Sequence, residues 1–194
     1  MRCAMLLAAG FGKRMRPLTE KTAKPLLPLG GRTLLDHALD RLTASGVGRV
    51  VVNTHWQGNL VARHLARRVS GPEVVLRAED ALLDTGGAVA AALAAGDLGD
   101  EPFFIVNGDS FWLDGPTPAL DRVADAFDPA VDNVLLVHRT FQVHSEAGRG
   151  DFSVDPWGGV RRRRGAGSRA LHLCRRAVRV AGPVRGRARR AVQA

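Results

Sequence analysis

Short apolar runs alternate along the chain with segments whose apolar residues recur at helical spacing. The runs are rich in Val, Ile, Leu and Phe, which is typical of strands buried on both faces. The predicted strands cover residues 4–9, 49–53, 74–77, 103–106 and 134–139. The predicted helices cover residues 33–42, 59–69, 88–95 (opened by 84–87) and 117–127. This alternation predicts an α/β fold: a Rossmann-like, doubly wound, mostly parallel sheet with helices on both faces.

Three segments of unusual composition follow predicted strands directly: residues 10–16, 53–58 and 107–109. In sheets of this kind, ligands bind at the carboxyl ends of the strands. We therefore expect a binding site where these segments meet.

The first segment, residues 10–16, is called the glycine loop below. It contains Gly10 and Gly12, followed at once by Lys13 and Arg14. Glycines allow close approach of backbone N–H groups, and cations behind them suit a polyphosphate. The alternative is a strand-to-helix turn with solvated basic residues, since short glycine motifs often match by chance.

Two charged residues are candidates for phosphate and metal chemistry. Asp109 ends a buried strand, where a carboxylate can hold Mg²⁺ together with substrate phosphates. Lys24 lies between apolar residues and prolines and could meet a phosphate as a point charge. The alternatives are a turn aspartate that bonds its own backbone and a solvated surface lysine.

Residues 84–87, Asp-Thr-Gly-Gly, begin a predicted helix. The free N–H groups of that first turn could face a nucleobase or a sugar. Ordinary capping by Asp84 or Thr85 is the alternative, and both can hold together.

Charge divides the chain into two parts. Residues 1–160 hold all 19 acidic residues and 16 of the 28 Lys and Arg, a net charge of −3, whereas residues 161–194 hold 12 Arg and no acid. We therefore predict a catalytic domain over 1–160 and an Arg-rich tail over 161–194.

The two cysteines are too far apart in sequence for a disulfide framework or a metal motif. The early glycines argue against a signal peptide, and no apolar stretch reaches membrane-spanning length, so we expect a cytoplasmic protein without a membrane partner.

Four segments, at 7–19, 24–29, 84–87 and 106–109, together resemble the ordered motifs of the sugar-1-phosphate nucleotidyltransferase family. The resemblance covers residues 1 to about 163. It implies two catalytic cations, Arg14 for the triphosphate and Lys24 for the α-phosphate. It implies Asp109 as a ligand of the cofactor Mg²⁺ and Asn107 as a contact of the sugar or ribose. It implies a nucleotide-binding set: Ala8, Ala9, Gly10, Gly12, Lys13, Gly86 and Gly87.

The activity implied by this resemblance is transfer of a nucleoside monophosphate from an NTP to a sugar 1-phosphate, with release of pyrophosphate. UTP ranks before GTP as the donor, and the product would serve cell-wall or polysaccharide precursor synthesis or recycling. The second hypothesis is a catalytically impaired protein that binds nucleotide or nucleic acid through the Arg-rich tail. Nucleic acid ranks below the NTP and sugar 1-phosphate as a partner.

The Arg-rich tail lacks the strand, the apolar substrate wall and the second acidic metal ligand that the family resemblance leads us to expect. A one-base shift in a permitted set of codons for residues 169–177 yields Ala-Pro-Tyr-Ile-Phe-Ala-Gly-Val, which resembles the family's continuation. We therefore predict a disordered tail or a frameshifted read-out that begins within residues 160–169. Such a protein would be weakly active or inactive.

Overall fold

The computed structural model describes residues 1–130, 132–139, 152–162, 171–172, 179–181 and 189–193. It divides into two compact units, Met1–Phe111 and Trp112–Ala194, which are described separately. This boundary differs from the predicted division at residue 160, which rested on charge. Among the residues described, none of the helices has the length and hydropathy of a membrane span.

The first unit is an alternating α/β unit whose elements follow the predicted order. It contains β1 (Cys3–Leu7), β2 (Pro28–Leu29), β3 (Arg32–Thr33), α1 (Leu34–Ala44), β4 (Arg49–Thr54), α2 (Gly58–Leu65), β5 (Glu73–Ala78), α3 (Asp84–Ala94) and β6 (Phe103–Asn107).

Four strands of this unit form a parallel sheet in the order β5-β4-β1-β6. Ala4 of β1 lies opposite Val50 of β4 on one side and Phe104 of β6 on the other. The centre of β1, most of β4 and most of β6 are buried. Strands covered on both faces need continuous apolar sequence, which explains why the short runs predicted them correctly.

The first helix, α1, follows its sequence signals closely. The Thr33 side chain caps the helix by accepting a hydrogen bond from the N–H of Asp36. Leu35, Leu39 and Leu42 repeat at helical spacing and are fully buried. The predicted helix 59–69 instead ends at Leu65, because no buried apolar residue holds a further turn and Val69 is fully exposed.

A cluster of charged groups joins α1 to the end of α2. Asp36 lies 3.0 Å from Nε2 of His64 and accepts a 2.5 Å hydrogen bond from Nη1 of Arg68, which also pairs with Asp40. Burial alone would raise the pKa of Asp36. Hydrogen bonds from Thr33, His64 and Arg68 outweigh it and lower the pKa from 3.8 to about 2.

The second unit contains one described helix and a set of short strands. The elements are α4 (Ala119–Asp125), β7 (Asn133–Arg139), β8 (Phe152–Val154), β9 (Val160–Arg162), β10 (Leu171–His172), β11 (Arg179–Ala181) and β12 (Arg189–Gln193). Leu135 and Val137 of β7 form an apolar cluster with Val160, against which Phe152 and Val154 pack.

Three of these strands lie within the Arg-rich tail. β10 and β11 pair with β7 in antiparallel orientation, and β12 pairs with β7 in parallel orientation. The described parts of the tail therefore supply partners for β7. The frameshift hypothesis for residues 161–194 remains a prediction.

Candidate active site

A cavity of about 290 Å³ opens beside the carboxyl ends of β1 and β6. It lies at the sheet edge where the sequence predicted a ligand. Its lining residues are Leu7, Ala8, Gly10, Phe11, Gly12, Lys13, Arg14, Met15, Lys24, Pro25 and Asp109.

The glycine loop adopts a tight turn that requires Gly12. Gly12 has φ +62°, and its carbonyl accepts hydrogen bonds from the N–H of Met15 at 2.8 Å and from the hydroxyl of Thr19 at 2.9 Å. A Cβ at Gly12 would lie 2.9 Å from Cγ2 of Thr19. Residues Lys13–Met15 then form a 3₁₀ turn instead of a helix. The chain thus turns tightly at Gly12 after β1, and the basic side chains of the loop follow this turn.

Lys13 and Arg14 present exposed side chains at the cavity. Nζ of Lys13 lies 5.2 Å from the ring centroid of Phe11, within cation–π range. Both cations can therefore meet an anionic ligand from the solvent side of the cavity.

Lys24 and Asp109, 85 residues apart in sequence, form an ion pair with Nζ and Oδ2 at 2.5 Å. Lys24 opens a 3₁₀ turn with the buried Pro25, and its side chain is 24% exposed. The alternative of a solvated surface lysine is therefore wrong. Gly108 donates to the carbonyl of Leu7 at 2.8 Å, which extends the β1–β6 pairing and brings Asp109 to the cavity.

The cavity offers one carboxylate for a metal. Within the ranges described, the structure gathers no group of three or more His, Cys, Asp or Glu side chains that could enclose a metal ion. Mg²⁺ often binds through only one or two carboxylates together with substrate phosphates and water. The 31% exposed carboxylate of Asp109, with Lys13 and Arg14 lining the same cavity, fits such a site.

Four of the predicted site residues do not line the cavity. Ala9, directly before the glycine loop in sequence, is buried, and Asn107 is the last residue of β6. Gly86 and Gly87 lie in the first turn of α3. The alternative of side-chain capping by Asp84 or Thr85 is wrong, because the helix begins after Leu83 without a side-chain cap and Asp84 has φ +59°.

Two polar residues near the site were missed from the sequence. The N–H of Ala8, a member of the predicted nucleotide-binding set, donates to Oδ1 of Asn53 at 2.9 Å. Nδ2 of Asn53 donates to Oε1 of Glu79 at 2.7 Å. The signal was a single Asn after a buried valine strand. From this signal we predicted that residues 53–58 follow the end of a strand, but we predicted no role for Asn53.

Comparison with known proteins gives matches over most of the chain. Residues 3–143 match the family model described as "Nucleotidyl transferase". The N-acetylmuramate alpha-1-phosphate uridylyltransferase of Caulobacter vibrioides is 40% identical over 191 residues, which cover 93% of this chain and 78% of the relative. That match extends into the Arg-rich tail, beyond residue 163 where the sequence resemblance was expected to end.

More distant matches agree on the type of protein. The mannose-1-phosphate guanyltransferase of Neurospora crassa is 32% identical over 108 residues, which cover 55% of this chain and 30% of the relative. The crystal structure of HddC from Yersinia pseudotuberculosis has a TM-score of 0.77 at 17% identity, with 100% of this chain and 90% of that chain covered. At that identity the likeness is evidence for the Rossmann-like fold alone.

The family model covers residues 3–143, and the 40% identical relative covers most of the chain. On this evidence the chain belongs to the nucleotidyl transferase family and is an enzyme of the nucleotidyltransferase type.

Proposed function

We propose that this enzyme transfers a nucleoside monophosphate from an NTP to a sugar 1-phosphate and releases pyrophosphate. The observation that carries the proposal is the meeting of Lys24 and Asp109 in one cavity with the glycine loop. Such a cavity presents cations and a carboxylate to a polyphosphate. No paired nucleophile and base is needed, because the attacking phosphate oxygen is already an anion.

In the proposed reaction, an oxygen of the sugar 1-phosphate forms a bond to the α-phosphorus of the NTP. The bond from that phosphorus to the β-phosphate oxygen breaks, and the electron pair leaves with pyrophosphate. The chain's residues contribute by positioning and by charge stabilisation. Lys13 and Arg14 bind the phosphates, and Lys24 exchanges its partner Asp109 for the α-phosphate, where negative charge grows.

Mg²⁺ is the proposed cofactor, and Asp109 is the residue that would hold it. Bound there, the cation would neutralise phosphate charge. Gly86 and Gly87, in the first turn of α3, remain the candidates for a base contact, and Asn107 remains the candidate for a sugar or ribose contact.

UTP ranks first and GTP second as the donor nucleotide. The 40% identical relative carries a uridylyltransferase name, and the 32% identical relative carries a guanyltransferase name. The sugars in those names, N-acetylmuramate and mannose as their 1-phosphates, are the first substrates to test. A role in cell-wall or polysaccharide precursor synthesis or recycling follows from the same reasoning.

A pyrophosphate-release assay tests the activity directly. We expect release only when an NTP and a sugar 1-phosphate are both present, with loss on chelation of Mg²⁺ and recovery on its return. A competition between UTP and GTP for one sugar 1-phosphate decides the order of the donors. No release with UTP, GTP or dTTP across several sugars would refute the proposed activity.

The variant Asp109→Asn tests the proposed metal ligand. It removes the charge while keeping the size of the side chain, so we expect turnover to fall by several hundredfold or more, since lost charge stabilisation in such sites costs about 10²–10³ in kcat. Asp100→Asn is the matched control, because Asp100 is exposed and lies outside the cavity lining. Unchanged turnover in Asp109→Asn would leave Asp109 as a turn residue.

A further inference from the structure

The side chain of Asn53 is 4% exposed and uses both ends of its amide. Its oxygen accepts from the N–H of Ala8, and its nitrogen donates to Oε1 of Glu79. Oε2 of Glu79 accepts from the N–H of Leu83 at 3.1 Å. These three hydrogen bonds, called the Asn53 bridge below, connect the residues before the glycine loop to the residue before α3.

Neighbouring residues hold the backbone of Glu79 in place. The N–H of Glu79 donates to the carbonyl of Thr54 at 2.7 Å, and the carbonyl of Glu79 lies 2.8 Å from Nδ1 of His55. Because Glu79 is bonded through its backbone on both sides, the Asn53 bridge cannot relax easily by moving its acidic partner.

The turn after Asn53 also contacts the glycine loop at Phe11 and the residues on either side of the loop. The N–H of Trp56 donates to the carbonyl of Ala9 at 3.4 Å, and the indole N–H of Trp56 donates to the carbonyl of Thr19 at 3.0 Å. The ring of Phe11 packs against His55 and Trp56, with centroid distances of 5.3 and 5.9 Å. The glycine loop is thus supported along one side by the segment that begins with Asn53.

From these contacts we infer that Asn53 is a positioning residue for nucleotide transfer. Through the Asn53 bridge it sets the glycine loop at the distance from the first turn of α3 that a bound nucleotide spans. The inferred effect of Asn53 on turnover rests on the proposed function. Asn53 does not line the cavity, so it acts through Ala8 and Leu83 and does not touch substrate.

An exchange of donor and acceptor tests this inference. Asn53→Asp keeps the acceptor for Ala8 but places a second carboxylate against Glu79, so the bridge breaks at its centre. Glu79→Gln alone turns the acceptor for Asn53 or for Leu83 into a donor. The double variant Asn53→Asp/Glu79→Gln restores a donor between the two residues and keeps all three hydrogen bonds. Side-chain size is nearly constant throughout, so cavity formation does not complicate the comparison.

The readouts are the Kd for Mg-UTP, by calorimetry, and kcat and KM from pyrophosphate release, well below the thermal unfolding midpoint of each variant. We expect Asn53→Asp to lose about tenfold to a hundredfold in kcat/KM, because small misplacements of bound reactants cost that much. We expect the double variant to recover most of the loss. Asn59→Asp, an exposed change of the same chemistry six residues away, is the control and should match the wild type.

Each outcome decides the inference. Full activity in Asn53→Asp, or no recovery in a folded double variant, overturns it. If Asn53→Asp does not fold, Glu79→Gln replaces it, and wild-type kcat/KM in that variant overturns the inference. A wild type that binds UTP but releases no pyrophosphate with UTP, GTP or dTTP refutes the proposed function alone, and the inference is then decided by the Kd values. A wild type that binds no nucleotide overturns both.

Discussion

Lys24 is held in place before any ligand arrives. The buried Pro25 follows it, its side chain is 24% exposed, and its ammonium group is already bonded to Asp109. Ordering a free lysine side chain on binding costs about 0.5–1.5 kcal/mol. At Lys24 most of that cost is met on folding, so a phosphate that replaces Asp109 at the ammonium group loses little further side-chain entropy of the lysine.

The variant Lys24→Ala should therefore impair catalysis more than the loss of an ordinary surface lysine. We expect kcat/KM to fall by about 10²-fold or more, because a preorganised charge at the reacting phosphate is lost. Pyrophosphate release under steady-state conditions measures the effect. Lys21→Ala is the matched control, since Lys21 is an exposed lysine three residues away. Equal rates in the two variants would contradict a role for Lys24 at the α-phosphate.

At the scale of elements, a cluster of charged groups joins α1 to the end of α2. The carboxyl of Asp36 contacts the Thr33 hydroxyl, the His64 ring and the Arg68 guanidinium. Its side chain is only 13% exposed. Removing one partner of a buried charge cluster leaves the others uncompensated, so this junction should be sensitive to mutation and to acid.

The pKa of Asp36 gives the sign and the pH range of that sensitivity. Because folding lowers the pKa from 3.8 to about 2, the stabilisation is complete above pH 3.8 and is lost as the pH falls through 2. The shift corresponds to on the order of 2 kcal/mol. We expect Asp36→Asn to be less stable than the wild type by about this amount at pH 7, with a difference that shrinks between pH 4 and pH 2.

Urea unfolding at pH 7, 4, 3 and 2 measures this difference in the free energy of unfolding. Asp100→Asn, which changes an exposed aspartate of the same unit, should show no such pH dependence. A difference between Asp36→Asn and the wild type that stays constant from pH 7 to pH 2 would contradict the assignment.

Elements with a strong local pattern were predictable, and elements without one were not. The four strands of the parallel sheet were predicted within one or two residues, since each is an apolar run between turn residues. The hairpin of β2 and β3 was missed because each strand has only two residues and no period can be read from two positions. The short α2 was overestimated because residues 66–69 continue its composition but not its burial.

The candidate site divides along the same line. Three of its residues were predictable from local signals. Gly12 is a glycine soon after a strand, Lys24 precedes a proline, and Asp109 follows the end of a strand. The Asn53 bridge was not, because it depends on β4 and β1 being neighbours in the sheet. Local sequence does not encode the order of parallel strands. From the sequence alone, Asn53 at the end of β4 therefore indicated only the start of a turn.

At the scale of the whole molecule, charge and structural units do not coincide. The acid-free Arg-rich tail begins at residue 161, whereas the second unit begins at Trp112. β12 of the tail, with the sequence Arg-Arg-Ala-Val-Gln, lies beside the apolar strand β7. The tail is therefore tied to the second unit through strand pairing in the residues described.

Resequencing the gene across codons 160–169 tests the frameshift prediction. We expect a one-base change that restores a reading frame containing Tyr, the residue type missing from this chain. Codons 1–159 are the internal control and should read as printed. An intact frame that codes for the twelve arginines would refute the prediction and would make the strands of the tail native elements of the second unit.

The central place of β1 in its sheet has a consequence for the growing chain on the ribosome. Ala4 finds its partner Val50 after 46 further residues, but its other partner, Phe104, comes 100 residues later. At a synthesis rate of about 5–20 residues per second, β1 waits for several seconds with one edge unpaired. An unpaired edge is a site for association between nascent chains. Lys24 is synthesised before this interval and Asp109 after it. The ion pair in the cavity can therefore form only when the interval has ended.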